Sequence, residues 1–128
     1  MTEGGSPPDG IERLKKRADF LAAAKAKSCA MPGIVVQARD REDGRPPRVG
    51  FTVTKKLGGA VVRNRIKRRL REAARLTLAG SARNGFDYVL IGRAAGLKRP
   101  FAGLQNDILG ALKRLHPQPT SRAETEIS

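Results

Sequence analysis

With 128 residues and a formal net charge of +14, from 26 Lys or Arg against 12 Asp or Glu, the chain has room for one domain around one ordinary core and a strong bias toward an anionic partner. A single cysteine, Cys29, excludes an internal disulfide, and no apolar run approaches the roughly 18 residues that a membrane helix needs. The opening MTEGGSPPDG has neither a basic region nor an apolar stretch, so it does not read as a secretory signal, and a cytoplasmic protein is the expectation.

Residues 1–10, rich in Gly and Pro, read as a disordered N-terminal arm, and residues 116–128 as a disordered C-terminal tail. The single domain expected between them, 11–115, holds 25 bases and 8 acids, so the positive excess belongs to the folded part. IERLKKRADFLAAAKAK (11–27) suits a helix that starts anywhere from Ile11 to Arg17. GIVVQAR (33–39) and RVGFTVT (48–54) are rich in β-branched residues, and DREDGRPP (40–47) between them is turn material, which suggests two paired antiparallel strands. KKLGGA (55–60) is a flexible connection. FDYVLIGR (86–93), almost continuously apolar, reads as a central strand. FAGLQNDILGALKRL (101–115), behind Pro100, is a helix with a stripe of Leu104, Ile108, Leu112 and Leu115. The order α-β-β-(β)-α-β-α makes an α+β fold, a small mixed sheet with helices packed on it.

VVRNRIKRRLREAAR (61–75) is the most unusual stretch, with seven bases and one acid among its last thirteen residues. As a helix it buries one stripe, Val62, Ile66, Leu70, Ala73 and Thr77, while Arg65, Lys67, Arg68, Arg69, Arg71 and Arg75 spread over the rest of the circumference. Like charges at i,i+4 oppose such a helix by a few tenths of a kcal/mol per pair, and an ordinary solvated face would intersperse more Glu. A phosphate-binding helix accounts for the pattern, because repulsion in the free protein becomes attraction and counterion release in a complex. Guanidinium forks also suit phosphate oxygens. Charge alone points to nucleic acid without saying which.

Residues able to cut that nucleic acid are hard to find. Asp40, Glu42 and Asp43 cluster in the expected turn, where solvated turn chemistry is the simpler reading. The single histidine, His116, stands at the start of the expected tail, and Cys29 has no evident base. The chain reads as a binder rather than a catalyst, with a ribosomal or architectural RNA-binding protein, a self-sufficient nuclease and a DNA-binding protein as rival classes.

FTVTKKLGGAVVRNRIKRRLREA (51–73) closely resembles the signature of the bacterial ribonuclease P protein subunit; RLKKRADF (13–20) resembles that family's N-terminal segment and DYVLIGR (87–93) its late strand, so the likeness spans roughly 12–115. The resemblance implies a left-handed β-α-β crossover around the basic helix. It also implies a catalytic RNA as partner, which with Mg2+ held mainly by the RNA and substrate removes the 5′ leader of precursor tRNA, with no membrane and no obligatory protein partner. Matched residue by residue, Lys55, Lys56, Arg63, Asn64, Arg65, Lys67, Arg68 and Arg71 would contact RNA, with no catalytic residue in the protein. Phe20, Val35, Gln37 and Phe51 would line a cleft for the single-stranded leader, with a core position for Phe20 as the less favoured alternative. The chain departs from the family pattern at Ala24, where a second aromatic is common, and at Gln37, where Tyr is frequent. Leader contacts resting more on hydrogen bonds and cations than on stacking are implied.

Overall fold

The apolar run at 86–92 sits in the middle of the sheet, where burial on both faces requires such a composition. The computed structural model describes residues 11–116, so the expected arm at 1–10 and all of the expected 116–128 tail except His116 lie outside the described residues. In chain order come β1 (Glu12–Arg13), α1 (Arg17–Ala24), β2 (Lys27–Ala30), β3 (Ile34–Asp40), β4 (Arg48–Thr52), α2 (Ala60–Thr77), β5 (Phe86–Gly92) and α3 (Phe101–Leu115). The strands form one mixed sheet in the order β1-β4-β5-β3-β2, so the α+β architecture expected from the sequence is the one observed. No helix among the described residues is long and apolar enough to cross a membrane.

One expectation about connectivity is corrected. β3 and β4 are not a hairpin: β5 lies between them, antiparallel to β3 and parallel to β4. The turn residues that separate β3 from β4 are spent on local bonds. Asp40 and Asp43 accept the backbone N–H groups of Glu42 and Arg45, as turn carboxylates do. The first helix starts at the late end of the expected range, because residues 12–13 pair in parallel with Arg48 and Val49. Glu12 and Leu14 donate their N–H groups to the carbonyls of Pro47 and Val49, and Ile11 and Leu14 are buried from this strand-like segment.

Side-chain alternation divides the sheet into two faces. Ile34, Val36, Ala38, Val49, Tyr88 and Leu90 meet Ile66, Leu70, Leu104, Ile108 and Leu112 of α2 and α3 in the main core. The stripes predicted for both helices are those observed, except that Val62 is half-buried, Ala74 joins the buried set of α2, and Asp107 and Ala111 join that of α3. The opposite face carries α1 alone, over a small cluster of Leu14, Ala23 and Val89 flanked by Phe20 and Ile91.

Polar anchors hold both layers. The fully buried Asp87 of β5 accepts bonds from Arg41 at 2.6 Å and from Arg48 at 2.7 and 2.8 Å, and lies 3.5 Å from Arg39. Asp19 of α1 pairs with the same Arg39 and Arg48 at 3.3 and 3.4 Å, so α1 is tied to the sheet through this cluster. Burial works against the charge of Arg41, but its bonds to Asp43 and Asp87 prevail and hold its pKa above the ordinary value. On the other face Asp107 accepts Gly33 N–H at 2.9 Å and a two-pronged contact from Arg99 at 2.7 and 2.9 Å.

His116 is not the head of a tail but part of the core, buried edge-on against Phe86 with its Nε2 2.6 Å from the Tyr88 hydroxyl. Burial, with Arg83 and Lys27 nearby, lowers its pKa to about 4. A neutral imidazole lets the Tyr88 hydroxyl donate to Nε2 while accepting the Arg83 N–H. The folded protein therefore resists a proton that the unfolded chain takes up near pH 6.5. This contribution to stability is full above that pH and is lost as the pH falls toward 4, by roughly 3 kcal/mol at most. Urea unfolding of the wild type and a His116→Gln variant between pH 4 and 7 should show that extra acid sensitivity in the wild type only; parallel curves would remove His116 as its source.

Candidate nucleic-acid interface

Two glycines and a short turn aim the basic helix. After β4, Lys55–Leu57 form a single 3₁₀ turn, and Gly58 at φ 138° takes a backbone conformation that side chains disfavour. Gly59 is the extended residue before Ala60, and Arg63 Nε donates to the Gly58 carbonyl at 3.2 Å. Lys55 and Lys56 are thereby exposed beside the N-terminal turn of α2, where the unpaired N–H groups of the helix add positive potential.

The cations of α2 fall into two groups. Arg69 donates to the backbone carbonyls of Gly96 and Arg99, and Arg75 pairs with Glu72 on the same helix; both have structural partners. Arg65 and Arg68 are exposed and Lys67 and Arg71 half-buried, and among the described residues none of these four meets a carboxylate or another protein acceptor. Asn64 is exposed beside them. The buried stripe of the helix thus holds a row of unneutralised charge at the surface.

Lys67 and Arg71 also form one wall of a groove. A hollow of about 530 Å³ is lined by Lys15, Arg17, Phe20, Phe51, Thr52, Val53 and Lys67. It adjoins a smaller one of about 130 Å³ that adds Arg13, Leu14, Val49, Gly50 and Arg71. The groove exists because β1 pairs only with Arg48 and Val49, leaving the β4 edge beyond them without a strand partner among the described residues. Phe20 sits half-buried on the Leu14, Ala23 and Val89 cluster and closes over Gly50, where a Cβ would lie 2.5 Å from its ring. It packs on one side and lines the groove with the other. Cations interleaved with aromatic rings suit an unpaired nucleic-acid strand, which offers phosphates and base faces together.

The four residues expected to form one cleft divide between the two sheet faces. Val35 and Gln37 lie on the α1 face with Phe20, opposite Ile91 and Val89 of β5. Phe51 alternates to the other face and packs against the main core, reaching the groove only around the open β4 edge. Lys15 and Arg17, and Arg13 beside them, were not singled out from the sequence. They look like ordinary helix-surface charge until β1 replaces the first helical turn. Among the described residues no three His, Cys, Asp or Glu side chains are grouped to hold a metal ion.

The Ribonuclease P family profile matches residues 10–116. The ribonuclease P protein component of Ruegeria pomeroyi is 54% identical over 114 residues, covering 86% of this chain and 91% of the relative. That of Caulobacter vibrioides is 55% identical over 119 residues, covering 92% and 79%. Among solved structures, the RNase P protein of Thermotoga maritima superimposes with a TM-score of 0.67 at 35% identity, covering 80% of this chain and 96% of that one. The Staphylococcus aureus protein gives 0.66 at 34%, covering 80% and 94%.

Proposed function

Since the chain belongs to the ribonuclease P protein family, protein subunits of an RNA-based enzyme of tRNA 5′ processing, we propose that α2 docks on the catalytic RNA while the cleft beside α1 receives the 5′ leader of precursor tRNA. The observation that carries this reading is the row of four unneutralised cations, Arg65, Lys67, Arg68 and Arg71, whose last turn opens into a groove containing Phe20 and Phe51. Lys55, Lys56, Arg63 and Asn64 extend the same surface around the helix start and contact the RNA backbone. Phe20 stacks on a leader base, and Val35 and Gln37 form the floor on which the strand lies.

Magnesium belongs to the RNA and the substrate in this scheme. The buried acids among the described residues are already engaged, Asp87 by three arginines and Asp107 by Arg99, so neither of them fits a magnesium site. The protein's contribution is to neutralise phosphate repulsion as two RNAs come together, which lowers the magnesium concentration the assembly needs. The proposed place of this work is the cytoplasm.

Reconstitution with a bacterial ribonuclease P RNA and precursor tRNA at limiting magnesium tests the proposal. The protein should accelerate leader removal by the RNA and show no turnover without it; robust cleavage by RNA-free protein would overturn the assignment of chemistry to the RNA. Phe20→Ala should weaken binding of precursor more than of mature tRNA, by about 1–3 kcal/mol if one stacked base is lost. Equal losses for both would make Phe20 purely structural.

A further inference from the structure

The segment that follows α2 and the outer side of α3 border a hollow of about 760 Å³, which shares no lining residue with the groove beside α1. Ser81 and Arg83 line it from one side, and Asn106, Leu109, Lys113 and His116 from the other. Asn106, Leu109 and Lys113 recur at steps of three and four, so they form one strip along the helix. No acid among the described residues lines the hollow, and each of its polar side chains can donate a hydrogen bond. Most of these donors are unpaired. Among the described residues the side chains of Ser81, Asn106 and Lys113 bond to no protein group. The Arg83 guanidinium makes one long hydrogen bond, 3.5 Å to the His116 carbonyl. Lys113 and Arg114 both stand in the last turn of α3, where a cation suits the free carbonyls. Arg114, however, turns to the Met31 sulfur, while Lys113 lines the hollow.

His116 adds a donor of a different kind, since the residue is only 6% exposed and its Nε2 is taken by the Tyr88 hydroxyl. That hydroxyl accepts the Arg83 N–H and donates to Nε2, so the ring proton sits on Nδ1. Among the described residues Nδ1–H has no acceptor. A buried donor without an acceptor is unfavourable in the free protein and is satisfied by a ligand that supplies one.

We propose that this hollow is a second phosphate site, where one phosphate of the catalytic RNA is held by Arg83, Lys113, Ser81 and His116; RNA as its source rests on the reading above. Water can meet single donors. Only an anion with several oxygens meets two cations and two neutral donors together. Leu109 and Asn106, one and two turns back along α3 from Lys113, then face the sugar and base attached to that phosphate. The 18 residues of α2, about 27 Å, separate the hollow from Lys55 and Lys56 at the other end of the helix. The two ends therefore hold different segments of the RNA, and two separated contacts fix the orientation of the protein as one patch cannot.

Two measurements test the proposal. In the first, inorganic phosphate is added to the full-length protein alone at pH 7 and followed by NMR. The His116 ring nitrogens and the Ser81 and Arg83 amides should shift saturably. Lys113→Ala, an exposed change to a strong helix former, should weaken that response about tenfold, as for one charge-assisted bond, and Lys113→Arg should keep it. A silent His116 ring, or a response indifferent to Lys113→Ala, overturns the site. In the second, binding of a bacterial ribonuclease P RNA by the full chain is followed against salt. Lys113→Ala with Arg83→Gln should lower the slope of log affinity against log salt by roughly 1.5, and Lys113→Ala alone by about 0.8 should the double variant prove unstable in urea. An unchanged slope with the phosphate response intact overturns RNA as the occupant and leaves a free phosphate compound as the ligand. If the wild type fails to bind the RNA at all, the reading above falls, and the His116 response alone decides whether the hollow takes phosphate.

Discussion

Replacing Asp87 with Ala is expected to destabilise the protein by about 3–5 kcal/mol, a large part of what a domain of this size has in reserve. The carboxylate is fully buried and is the common acceptor for Arg41, Arg48 and, more distantly, Arg39. Deleting it leaves three guanidinium groups facing one another. Asp19, with Arg39 and Arg48 in reach, and the more exposed Asp43, beside Arg41, remain to compensate them. Arg41 suffers most, since its side chain is 8% exposed and its other partners are Asp43 and backbone carbonyls. Asp87→Asn should cost nearly as much, because it restores the shape but not the charge. Arg39→Gln, at the partly solvated rim of the cluster, should cost only about 1 kcal/mol. Urea unfolding midpoints of these variants give the measurement. A loss below about 1 kcal/mol for Asp87→Ala would mean that the arginines relax into solvent and that packing alone seats α1.

That cluster also shows what the sequence could and could not disclose. The faces of α2 and α3 were legible because helical burial repeats every three or four residues, and long amphipathic stretches carry the signal many times over. β5 was legible as central because both its faces are covered. Its placement between β3 and β4 was not, because strand neighbours are chosen by long-range pairing that leaves no local trace, and two β-branched runs around a turn look like a hairpin. β2, four residues reading KSCA, has no pattern long enough to detect, and β1 has two residues. Asp87 did leave a clue: an acid inside an otherwise apolar strand, with Arg39, Arg41 and Arg48 spaced along segments that could flank it. His116 left none, since its burial depends on Tyr88 and Phe86 nearly thirty residues away. Of the residues expected in the cleft, Phe20 came from the resemblance, and the split between Phe51 and the Val35–Gln37 pair depends on strand register, which only the folded sheet fixes.

Neutralising the free row of α2, with Arg65, Lys67, Arg68 and Arg71 all changed to Ala, should have the largest effect on RNA binding. If each cation meets a phosphate, the slope of log affinity against log salt falls by about 0.7–0.9 per residue, or roughly 3 for the set. Affinity should then drop most steeply at low salt, where counterion release is worth most. The same substitutions should leave the fold as stable as before or slightly more so. They remove like-charge neighbours, such as Lys67 and Arg71 at i,i+4, and Ala is the strongest helix former. The four side chains also break no internal ion pair among the described residues. Loss of binding together with unchanged or raised thermal stability would be hard to attribute to misfolding. Arg75→Ala supplies the contrast, because that guanidinium is engaged by Glu72 and its removal should leave the salt slope where it was. Arg69→Ala should behave differently again, lowering stability through the loss of its bonds to the Gly96 and Arg99 carbonyls while the slope persists. A quadruple variant that kept the full salt dependence would take α2 out of the RNA interface and leave the positive charge of this helix without an account.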